Sequence, residues 1–75
     1  MSFGNNLRLA RRASGKTQDE LAKCLAVTRQ SVSKWETGEG YPEIEKLIQL
    51  VGVLDVSLDE LLSDEIHTNC KLEAT

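Results

Sequence analysis

Residues 17–38, TQDELAKCLAVTRQSVSKWETG, decide the fold. Thr17 followed three residues later by Glu20 is a capping box, in which each side chain serves the other residue's backbone N–H. Asp19 and Glu20 also suit the positive end of a helix dipole. Leu21, Ala22 and Leu25 then form a short apolar stripe, so the spacing predicts a helix of about two turns. Ala26-Val27-Thr28 makes a tight connection, and Thr28 caps a second helix running from Arg29 to Thr37. Val32 and Trp35 face inward on it, Trp35 as a core residue rather than a stacking platform, until Gly38 and Gly40 break the pattern.

Ala22 is small enough for the two helices to approach, and Val27 plugs their junction, giving a compact helix-turn-helix unit. Upstream, Phe3, Leu7, Ala10 and Ala13 share one helical face, with Arg8, Arg11 and Arg12 around it and Gly15 as the C-terminal glycine. Downstream, Pro42 is expected in the first turn of a fourth helix. Its buried face is expected to be Ile44, Leu47, Ile48, Val51 and Leu54, with Gly52 a mild weakness. Asp55 stands where a left-handed glycine would be better. Ser57 and Glu60 make a second capping box, opening a fifth helix that carries Leu61 and Leu62. A strand over residues 51–58 is the competing reading, without a partner strand in view. The expected fold is therefore all-α, a compact five-helix bundle over residues 1–62, followed by a polar, flexible tail over residues 63–75.

Composition bounds the rest. Seventy-five residues, 40% hydrophobic and 28% charged, allow one small domain. Cys24 and Cys70 are too few for a disulfide framework, and no run reaches the ~18 apolar residues of a membrane helix. No secretory signal is seen, so a reducing cytoplasm is expected, with no membrane contact. His67 and Cys70, with Cys24 remote, fall short of the ligands that zinc takes, so neither metal nor cofactor is expected. Ser57 or Ser63 with His67 has no oxyanion hole or substrate pocket around it, and no enzyme is expected.

The outward side chains of the third helix are Arg29, Gln30, Ser33 and Lys34, a polar set without a carboxylate. Gln and Arg match the hydrogen-bonding edges of adenine and guanine in the major groove. Together with Pro42 and LIQLVGVLDVSLDELL, the series TQDELAKCLAVTRQSVSKWETG resembles the Xre/Cro/CI-like helix-turn-helix DNA-binding domains of bacterial and phage repressors, over residues 3–62. The resemblance implies that Gln18 contacts phosphate or an outer base, and that Thr28, Arg29 and Gln30 read bases, with Ser33 and Lys34 next along the groove. It implies backbone clamps at Lys16, Arg12 and Lys34, and an internal salt bridge between Arg11 and Glu36. This chain departs from the family at Lys16, where an apolar residue is common, and at Glu39, where a base is frequent. Tyr41 is open between loop packing and phosphate contact.

The resemblance further implies a transcriptional regulator of bacterial or phage origin, nucleoid-associated when bound. Its simplest form is a repressor bound as a homodimer to a palindromic operator in double-stranded DNA, with the third helix in the major groove. Val56, Leu58, Leu61 and Leu62 are the expected dimer surface, because they outnumber what a short helix buries. The alternative is an antitoxin-like protein-interaction module whose partner binds residues 63–75; a third is the N-terminal piece of a longer regulator. The net charge of −3 opposes DNA binding only as an average. Up to Lys34, seven basic residues face Asp19 and Glu20, a balance of +5, whereas beyond it Lys46 and Lys71 face ten acids, a balance of −8. The helix-turn-helix half is the basic half.

Overall fold

A computed structural model describes residues 3–62; the expected tail, with His67 and Cys70, lies outside the described residues. Among these residues, five helices follow in order: α1 (Phe3–Ala13), α2 (Gln18–Leu25), α3 (Arg29–Thr37), α4 (Ile44–Leu54) and α5 (Leu58–Leu61). Among the described residues there is no strand, and residues 51–54 complete α4. No helix among them is long and apolar enough to cross a membrane. Phe3, Leu7, Leu21, Ala22, Leu25, Val32, Trp35, Leu50, Leu54 and Leu61 make one core.

The local signals act as read. Thr17 and Ser57 both close reciprocal capping boxes, and Thr28 Oγ1 accepts from the Ser31 N–H at 3.1 Å. Gly15, Gly38 and Asp55 all take the left-handed conformation that ends their segments. Ala26 takes it too, at φ 58°, donating back to Ala22 and Lys23 to close the α2 terminus. An alanine there costs about 1 kcal/mol through its Cβ, a cost that a glycine avoids.

Two features bring α1 onto the helix pair. Phe3, Leu7 and Arg11 are stacked four residues apart on its buried face. Where α1 crosses α3, Gly4 sits so close that a Cβ would lie 2.5 Å from the carbonyl oxygens of both Trp35 and Glu36. Those are backbone atoms that cannot swing aside. Elsewhere, Lys46 Nζ donates to the Leu25 carbonyl at 2.7 Å, joining α4 to the negative end of α2. Asn6 Nδ2 donates to the Leu61 carbonyl at 3.1 Å and joins α5 to α1.

The second half differs from expectation in three places. Pro42 lies outside α4: Glu43 is the extended N-cap, and the first intrahelical bond runs from Leu47 N to its carbonyl. Just before this cap, Tyr41 lies against Phe3, ring centroids 5.6 Å apart. The buried face of α4 is Leu50 and Leu54, flanked by Leu47, Val51 and Val53, whereas Ile44 and Ile48 are each 65% exposed. IEKLIQLVGVL is apolar almost all round, so two overlapping stripes satisfy the same periodicity. Leu61, expected on the dimer surface, is buried in the chain's own core. Leu58 is 41% exposed, with Val56 and Leu62 half-buried.

Gly4→Ala should therefore destabilise the domain by about 2–3 kcal/mol, since overpacking against backbone cannot relax locally. Ala26→Gly should stabilise it by about 0.5–1 kcal/mol, the relief of Cβ strain less the added unfolded-state entropy. Urea unfolding of the two variants beside the parent measures both; equal midpoints for Gly4→Ala and the parent would contradict the crossing geometry.

Candidate nucleic-acid interface

Trp35 turns α3 so that its C-terminal acid, Glu36, points into the fold while the rest of its polar set points out. Glu36 is the sole carboxylate of α3, and its side chain is only 3% exposed. Arg11 meets it from α1 with Nε at 2.6 Å from Oε2 and a terminal nitrogen at 3.3 Å from Oε1, a two-point contact. The other terminal nitrogen of Arg11 donates to the Lys16 carbonyl at 2.7 Å. Gln18 Nε2, from the first turn of α2, donates to Glu36 Oε1 at 3.0 Å. Both carboxylate oxygens are thus engaged, and no buried side-chain polar atom among the described residues lacks a partner. The salt bridge expected from the resemblance is present, with Gln18 as an additional member.

Arg29, Gln30 and Lys34 are exposed and Ser33 is half-buried, with Arg29 and Ser33, seven and three residues before Glu36, on the flank of α3 beside it. Gln18, Arg29, Gln30 and Ser33 together line one shallow cleft of about 250 Å³ between the starts of α2 and α3. Four of the seven expected DNA contacts therefore share a wall, and Lys34 follows one turn along. Thr28 is engaged locally, its hydroxyl capping Ser31 N and lying 3.0 Å from Ser31 Oγ. Lys16 lines a separate depression with Ser14, Gly15, Glu20, Lys23 and Cys24. Nothing in residue spacing announced that Gln18 would bond Glu36; their positions are 18 apart and belong to different helices.

The arrangement is a donor-rich surface with its nearest acid withdrawn and neutralised. Arg29 and Lys34 supply cationic donors, Gln30 and Gln18 amides with both donor and acceptor, and Ser33 a hydroxyl. Such a set suits hydrogen bonding to base edges and phosphates; it has no group positioned as a nucleophile with a neighbouring base.

Removing one member of the ion pair strands a buried charge. Arg11→Met or Glu36→Leu alone should lower stability by about 3–5 kcal/mol, whereas the double variant should lose much less than the sum. Chemical denaturation of all four proteins tests this, and additive losses would show that the pair is not coupled.

Comparison with known proteins places this geometry. The helix-turn-helix family model matches residues 7–61. The chain is 43% identical over 65 residues to the HTH-type transcriptional activator BcrR of Enterococcus faecalis, covering 87% of this chain and 32% of that protein. It is 36% identical over 61 residues to the cryptic phage CTXphi transcriptional repressor RstR of Vibrio cholerae, covering 81% of this chain and 54% of that protein. The chain thus spans a third to a half of these relatives' length. Among solved structures, the P22 c2 repressor in complex with a synthetic operator superposes with a TM-score of 0.78 at 32% identity, over 83% of this chain and 94% of that one.

Proposed function

This chain belongs to the helix-turn-helix family, and from that premise we propose that it is a sequence-specific double-stranded DNA-binding regulator of transcription that inserts α3 into the major groove. The observation that carries the reading is the outer face of α3, where Arg29, Gln30, Ser33 and Lys34 stand without a competing carboxylate because Glu36 is buried and paired. Arg29 suits guanine O6 and N7, and Gln30 suits adenine N6 and N7. Lys34, as a point charge, suits a phosphate, and Lys16, in its separate depression, and the exposed Arg12 add positive charge for the DNA backbone.

The functional unit in this reading is a symmetric dimer on a palindromic operator, with two α3 helices about 34 Å apart. Leu58, with the half-buried Val56 and Leu62, is the surface that remains for the partner. A P22 repressor crystallised on an operator, and a phage repressor among the sequence relatives, favour repression as the mode of action, with activation, as in BcrR, the alternative. The basic residues up to Lys34 then carry the attraction to DNA, which orients the approach.

Selection from a random duplex pool is expected to enrich sites with two-fold symmetry. Gln30→Ala should cost about 1–3 kcal/mol at one or two base positions, whereas Lys34→Ala should weaken all sites alike and lower the salt slope by about one. Indistinguishable binding of both variants and the parent to enriched and random duplexes would sink the assignment of α3 as the reading helix.

A further inference from the structure

The half-buried amide of Gln18 joins the cleft to the buried ion pair, and its orientation is dictated by chemistry. A carboxylate accepts hydrogen bonds and cannot donate, so Glu36 Oε1 forces Nε2 of Gln18 toward itself. The opposite edge of the planar amide, Oε1, is the acceptor left for the cleft that Gln18 lines with Arg29, Gln30 and Ser33. Glu36 is in turn held by two nitrogens of Arg11, so the direction of the amide is inherited from α1.

On the reading that this cleft meets DNA, we propose that Glu36 is a positioning residue that makes Gln18 a presented acceptor for a donor-bearing base edge. The exocyclic amino groups of adenine and cytosine are the partners that match this oxygen in the major groove, while the second N–H of Nε2 remains a donor for an acceptor such as a phosphate oxygen. An unclamped glutamine could turn over and present its NH2 group, a donor, where the clamped one presents its oxygen. The clamp also removes the rotamer freedom that binding would otherwise have to freeze.

Glu36→Asp separates this role from a merely structural one. The shorter carboxylate keeps its charge opposite the long, adjustable Arg11, but withdraws by one methylene from Gln18, which α2 holds in place. In free protein, the Gln18 side-chain amide should give two well-separated, ordered signals by NMR, unlike the exposed Gln30 and Gln49, and should join theirs in Glu36→Asp. With the duplex enriched by the parent, Gln18→Ala should weaken binding about tenfold and relax one A·T or C·G position; in the Glu36→Asp background it should cost less than about twofold. An equal loss in both backgrounds, or no loss in the parent, overturns the positioning role. A mobile Gln18 amide in the parent overturns it without any variant, should Glu36→Asp fail to fold. A protein that enriches no duplex overturns the DNA reading and this role with it, while an ordered Gln18 amide would still reveal the clamp; the two failures are therefore distinguishable.

Discussion

The contact between Arg11 and Glu36 is the constraint on which the remaining geometry depends. It occupies the position where the apolar stripe of α1, Phe3 and Leu7, would call for another hydrophobe. A buried ion pair brings little net stability, since desolvation consumes most of its Coulombic gain. What it supplies here is direction. An apolar contact at this point would tolerate sliding, whereas a guanidinium fork on a carboxylate tolerates one arrangement, and Gly4 sets the neighbouring distance between the same two helices.

From that junction, order spreads to the surface by short covalent and hydrogen-bonded steps. The Lys16 carbonyl on Arg11 fixes the entry to α2, and Gln18 on Glu36 fixes its first turn. The spacing between α2 and α3 follows from Ala22, Val32 and Trp35 inside, and the cleft between their N-terminal ends is the outer expression of that packing. The same pairing removes the only negative charge of α3 from the face that carries Arg29 and Lys34. Helix placement and surface chemistry are thereby served by one residue, Glu36.

How much of this was legible in the sequence divides along the range of the interactions. Thr17 with Glu20 and Ser57 with Glu60 act within one turn, so four letters suffice to place a helix start. The left-handed Asp55 was readable for the same reason, and the Arg11–Glu36 pair came only through resemblance to a family. The face of α4 was not legible, because apolar residues surround that helix and periodicity cannot choose between Ile48 and Leu50. Tertiary context chose, by docking α4 on α2 through Lys46 and the Leu25 carbonyl. Leu61 was misassigned to a surface because the count of leucines says how many need cover, not which copy covers them. Gly4 carried no signal at all, since its importance is the proximity of a backbone some thirty residues away.

The central claim is that this hydrogen-bonded framework presents the starts of α2 and α3 as one recognition surface. Titrating the isotopically labelled protein with its enriched duplex, and following backbone and side-chain amides by NMR, tests it most directly. The account predicts that the largest changes fall at Gln18 and from Thr28 to Lys34, with Ile44, Ile48 and the interior pair of Arg11 and Glu36 little affected. Changes concentrated on the exposed face of α4, with Arg29, Gln30 and Lys34 unmoved, would contradict it.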